Sequence, residues 1–133
     1  MAANLTLFEI PGWTGMKISG RVDSFKDREL IQAIEHLSRS TSRVALDLSD
    51  AEFLSLQTLI FLSRLRQALG RKGGELALLR PNHSIRRQIE IFLGNKALAV
   101  YKSIEDLQIG IADQSRAEFQ SAPPLMRSLS ILN

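Results

Sequence analysis

The chain contains no cysteine, so disulfide frameworks, thiolate metal sites and cysteine nucleophiles are all excluded. Its two histidines, His36 and His83, lie far apart and share no metal-ligand spacing. Asp47, Asp50 and Glu52 are close in sequence, yet no histidine or second carboxylate cluster joins them into an acid–base or metal site. Gly70-x-x-Gly73-Gly74 sits between a helix and a strand, not before a helix, so it is not a phosphate loop. Asp23 reads as a turn residue after its strand. No catalytic residue, metal or cofactor is therefore expected, and an enzyme reading is poor. Long apolar runs are also missing, and Met1 to Thr6 carry no basic leader. The expectation is a cytoplasmic protein without membrane insertion.

The composition is that of an ordinary globular protein, 44% hydrophobic and 23% charged over 133 residues. That length supports one domain with a real core, not comfortably two. The net charge is +3. Arg64, Arg66, Arg71, Lys72, Arg80, Arg86 and Arg87 cluster in one stretch that could attract an anionic surface. No aromatic residue interleaves them as single-strand binding would need, so a solvated face is the better reading and no nucleic acid is expected.

Short apolar runs alternate with helical periodicity along the chain. Residues 5–10 and 13–18 read as a hairpin turned by Pro11-Gly12, and Arg21-Val22 as a further short strand. A helix is predicted from about Lys26 to Ser40, through Leu30, Ile31, Ile34 and Leu37. Residues 44–48 read as a buried central strand, followed by a tight polar loop. Ser55 can cap the next helix, from Leu56 to about Gly70. Then come a strand over 75–79, a helix opened by Pro81-Asn82 and ended near Gly94, a strand over 98–101, and a helix capped by Ser103 with Asp106 at its third position. This alternation predicts an α/β fold, a mixed β-sheet of four to five strands with helices mainly on one face. From Asp113 the character changes. Residues 1–112 are read as the domain and 113–133 as a C-terminal tail, a linker around Ala122-Pro123-Pro124 plus a short amphipathic segment.

The stretch Val44-Ala45-Leu46-Asp47-Leu48-Ser49-Asp50-Ala51-Glu52-Phe53-Leu54-Ser55-Leu56-Gln57-Thr58-Leu59 resembles the central signature of STAS domains. That family includes bacterial anti-sigma factor antagonists and the cytosolic modules of sulfate transporters. In the antagonists a strand ending in Asp or Asn leads to Phe-hydrophobic-Asp-Ser-Ser/Thr-Gly/Ala-Leu, whose second hydroxyl residue is the phosphoacceptor. Phe53, Leu54 and Leu59 match the hydrophobic frame. Ser55 stands in place of the Asp, Leu56 in place of the first Ser, and Gln57 in place of the phosphoacceptor. Ile18-Ser19-Gly20-Arg21-Val22-Asp23, Gly74-x-Leu76-x-Leu78, Pro81-x-x-x-Ile85 and Val100-Tyr101-x-Ser103-Ile104-Glu105 also resemble the family, in the right order.

The resemblance implies a non-enzymatic regulatory module that binds a protein partner, a kinase-type anti-sigma factor in the first instance. Gln57 has no hydroxyl and cannot be phosphorylated; Ser55, at the helix start, is the candidate substitute. Gln57 reads equally well as a plain surface helix former. With Leu59, Leu62, Leu65 and Leu69 turned inward, periodicity puts Leu56, Ile60, Ser63, Arg64 and Gln67 outward. Ser55, Leu56, Gln57, Ile60 and Arg64 are thus the candidate partner-binding residues, unless the tail or the hairpin covers Leu56 and Ile60. Two alternatives keep the fold: an accessory subunit binding the ABC ATPase of a lipid-transport system, and a nucleotide- or lipid-binding STAS module. Self-association stays open.

Overall fold

A computed structural model describes residues 4–22, 27–94 and 97–110. Five strands and four helices alternate: β1 (Asn4–Ile10), β2 (Trp13–Val22), α1 (Asp27–Ser40), β3 (Arg43–Leu54), α2 (Leu56–Arg71), β4 (Glu75–Leu79), α3 (His83–Phe92), β5 (Ala99–Tyr101) and α4 (Ile104–Ile109). The strands lie side by side in chain order, β1-β2-β3-β4-β5. β1 and β2 form an antiparallel hairpin, and every later pairing is parallel. This is the mixed sheet expected from the alternation, with residues 44–48 in its centre.

Strand alternation sorts the core into two layers. Met16, Leu46, Leu78 and Val100 are cross-strand neighbours on the face covered by α1, α2 and α3. There they meet Leu30 and Ile34 of α1, Leu59, Leu62 and Leu69 of α2, and Ile85 and Ile89 of α3, all buried. The opposite face carries Trp13, Ala45, Ala77, Leu79 and Tyr101, closed by Leu107 of α4. Three helices therefore share one face and the short fourth takes the other. On that second face the Phe8 ring lies over Gly15, filling the space where a Cβ would otherwise stand. Arg43 stacks on the Trp13 ring at 4.6 Å and pairs with Glu75 at 3.5 Å.

Two expectations about the strands are corrected. Arg21 and Val22 do not form a separate strand; they continue β2 beyond Gly20, whose φ of 89° is left-handed. The residues after Leu48 are not a loop either. β3 runs on to Leu54, and this extension pairs with β2 alone, through register shifts between Lys17 and Ser19 and between Gly20 and Arg21. The polar residues Ser49, Asp50 and Glu52 suggested a loop because no β4 neighbour sits beside them, so their side chains reach water. The helix starts fall within a residue of expectation. Lys26 itself, Asp23, and the whole segment from residue 111, including the domain boundary and the tail, lie outside the described residues.

Where β3 leaves β4, Asp47 is buried at 5% exposure. Its Oδ1 accepts the Ser49 backbone N–H at 3.0 Å and its Oδ2 accepts from the Arg80 guanidinium at 2.7 Å. Arg80 holds a left-handed φ of 52°, unfavourable for a residue with a Cβ by about 1 kcal/mol. Its N–H donates to the Tyr101 carbonyl at 2.9 Å, so bonds at both ends fix it. Burial pushes the Asp47 carboxyl up, but the Ser49 hydrogen bonds and Arg80 outweigh it, leaving the group below its ordinary value of 3.8. A lowered folded pKa means stability that is present above 3.8 and lost as pH falls through the folded value. Asp47→Asn should therefore cost about 1–2 kcal/mol at neutral pH, the guanidinium being half in solvent. Urea unfolding of both proteins across the acid range should show that gap closing below 3.8.

Candidate functional site

The start of α2 is built by its neighbours as much as by its own sequence. β3 delivers Leu54, wholly buried, against Val22 of β2. Two side chains of α3 grip the extension from the other side. The Asn82 Nδ2 donates to the Ala51 carbonyl at 2.9 Å while its Oδ1 accepts the Ile85 N–H at 2.8 Å, capping α3. The Gln88 Nε2 donates to the Leu54 carbonyl at 2.8 Å. Arg21 lies over the Phe53 ring at 4.4 Å, adding a cation–π contact on the outer side.

Ser55 then turns the chain with extended backbone angles, φ −69° and ψ 158°. Its hydroxyl oxygen accepts the Thr58 N–H at 3.1 Å and its hydroxyl donates to Thr58 Oγ1 at 3.2 Å. Ser55 is thus the N-cap the sequence suggested. Thr58 is fully buried, on the packed side of α2 with Leu59 and Leu62. The first turn of α2 holds no acidic residue, so the positive end of the helix dipole is uncompensated by its own side chains.

All five candidate partner-binding residues occur on this helix start or one to two turns beyond it. Ser55 is half-buried; Leu56, Gln57, Ile60 and Arg64 are exposed. Leu56 at 47% and Ile60 at 37% exposure are apolar side chains a turn apart that both keep a face open to solvent. Gln57, Ile60, Phe61 and Arg64 form one wall of a groove of about 720 Å³ whose other wall is α1. The α1 wall and the bracing by Asn82 and Gln88 were missed from sequence. Asn82 carried a signal, since Asn directly after Pro and before an apolar helix is a cap; the other contacts join distant segments and leave no local trace. Among the described residues no three His, Asp or Glu side chains converge to hold a metal ion.

A mixed sheet in chain order, three helices on one face and a capped helix start displayed at the end of the central strand define the fold of anti-sigma factor antagonists. An antagonist from Mycobacterium paratuberculosis superposes with a TM-score of 0.72 at 23% identity, covering 83% of this chain and 94% of that one. The Bacillus cell fate determinant SpoIIAA in its phosphorylated form gives 0.61 at 11% identity, covering 80% and 99%. The murine anion transporter Slc26a9 carries a similar unit, with a TM-score of 0.64 at 16% identity over 78% of this chain and 18% of the transporter. The chain belongs to the STAS domain family, which matches residues 5–107. No curated protein matches it in sequence. No helix among the described residues is long and apolar enough to cross a membrane.

Proposed function

We propose that this protein is a non-enzymatic, cytoplasmic regulatory module that docks on a protein partner through the start of α2. The observation that carries this reading is the partly exposed apolar pair Leu56 and Ile60 beside Gln57, on a helix whose cap and preceding strand are braced. Apolar anchors surrounded by polar residues are the usual centre of a protein contact. Gln57 and Arg64 supply the rim. The partner of first choice is a kinase-type anti-sigma factor, because anti-sigma factor antagonists share the fold.

Gln57 makes the docking constitutive. A phosphate would add nearly two negative charges at the helix start, whereas the carboxamide stays neutral and cannot accept one. The two other hydroxyls of the region, Ser55 and the buried Thr58, are engaged with each other at the cap. Incubation with a cognate kinase and ATP should therefore leave Gln57 unmodified and Ser55 unphosphorylated by mass spectrometry. Stoichiometric phosphate on Ser55 would move the switch by two residues and overturn the constitutive reading. Affinity purification from the native host, compared with Gln57→Glu as bait, identifies the partner. A kinase-like protein recovered by the first bait and depleted on the second supports the reading. An ABC ATPase in its place would instead make the chain an accessory subunit of a transport system.

A further inference from the structure

The α1 wall of the groove holds a carboxylate with an unmet need. Asp27, the first residue of α1, is 5% exposed, and its Oδ1 is buried without a hydrogen-bond partner among the described residues. Buried polar atoms are nearly always hydrogen-bonded, so an unpartnered oxygen beside a groove calls for an explanation. The groove lining mixes polar and apolar side chains, its apolar part supplied by Ile31 of α1 and by Ile60 and Phe61 of α2. At its edges stand Arg28 and Arg64, exposed and without an ion partner among the described residues. An apolar patch, one unmet carboxylate oxygen and two uncompensated guanidiniums form a definite charge pattern.

We infer that the groove receives a basic side chain of the docked partner, whose head group pairs with Asp27 and whose flanking residues are acidic. The methylene stem of an arginine or lysine suits the apolar patch of Ile31, Ile60 and Phe61, since such side chains bury their stems and keep the charge at the tip. The broad χ2 torsion of aspartate lets the carboxylate turn to present an oxygen to that tip. Arg28 and Arg64 would repel a uniformly basic segment, and they select acidic neighbours on either side of the central cation. This inference rests on the docking reading above and extends the contact from the outer face of α2 across to α1. The bond to Asp27 would be made only in the complex, which is why its Oδ1 has no partner in the free protein among the described residues.

The test needs no identified partner, so it can fail or succeed independently of the docking experiments. The full chain, ¹⁵N-labelled, is titrated with the capped tripeptide Glu-Arg-Glu and with its neutral counterpart Glu-citrulline-Glu. The arginine peptide should shift the amides of Asp27, Ile31, Ile60 and Phe61, and the citrulline peptide should bind about tenfold more weakly. Asp27→Asn should abolish that preference while melting at or above the wild-type temperature. Arg64→Gln, on the rim, should lessen the advantage of Glu-Arg-Glu over Gly-Arg-Gly. Equal response to arginine and citrulline, shifts confined to other surfaces, or an undiminished preference in Asp27→Asn would each overturn the inference. A lowered melting temperature for Asp27→Asn would also overturn it, by showing that the carboxylate is satisfied in the free fold. Stronger binding of a free diamine such as putrescine than of Glu-Arg-Glu would make a small cation the occupant and reject the partner side chain.

Discussion

Replacing Ile60 by aspartate should reduce partner binding more than about tenfold and leave thermal stability almost unchanged. Ile60 is 37% exposed on α2, so a carboxylate there remains solvated in the free protein. In the complex the same carboxylate would have to give up its water at an apolar anchor position. Truncating or charging a central anchor commonly costs about 2 kcal/mol or more of binding energy. Leu56→Asp should act in the same direction, and Gln57→Glu more mildly, because Gln57 belongs to the rim. Both readouts have to come from the same samples, by calorimetry for binding and by thermal denaturation for the fold. An unfolded Ile60→Asp would make Ile60 part of the core. Normal binding by a folded variant would move the docking surface elsewhere, with the basic residues Arg86 and Arg87 of α3 next in line.

Two glycines at the end of α2 should respond to the same substitution with opposite sign. At Gly74 a Cβ would collide with the carbonyl oxygen of Ser42, the oxygen that accepts the Glu75 N–H at 2.8 Å. That oxygen is backbone and cannot swing aside. Gly74→Ala should force β3 and β4 apart at their first paired residues, Arg43 and Glu75, and cost about 1–3 kcal/mol. Gly70, by contrast, lies within α2, is exposed, and has nothing near the position its Cβ would take. Gly70→Ala should stabilise the protein by about 0.5–1 kcal/mol, since alanine loses less backbone freedom in a helix. Urea denaturation of the two single variants checks both signs, and a stable Gly74→Ala would mean that the α2–β4 turn is far softer than its geometry implies.

Most of the fold was legible because its signals are local. Ser55 and Ser103 precede apolar helical patterns and both cap their helices through the third N–H, Thr58 and Asp106 respectively. Gly94 stops α3 with a left-handed φ of 97°, accepting a role that few other residues fill so easily. The Leu59-Leu62-Leu65-Leu69 stripe is buried throughout, so its complement was correctly read as the outer face. The extension of β3 to Leu54 was not legible. Its polar residues fit a loop as well as a strand paired on one side, and what decides between them is the presence of β2 as neighbour. The groove was hidden for a related reason. Asp27 and Ile60 belong to different helices, and periodicity within either helix says nothing of what faces it across the gap.

The chain-order arrangement of the sheet also bears on how the molecule comes into being. No strand has to be threaded between two neighbours already in place; each one joins the edge left by its predecessor. The antiparallel hairpin of β1 and β2 closes a short loop, and each later parallel strand returns after a single helix. Each parallel pairing therefore spans no more chain than one crossover helix requires, which keeps the loop to be closed as short as a parallel sheet permits. During synthesis the nascent chain can add one layer at a time as it leaves the ribosome, with the growing edge always at β2, β3 or β4 in turn. Helix α2 follows the third strand, so its cap is assembled before α3 can brace it, and the surface proposed for docking is complete only when Asn82 and Gln88 arrive.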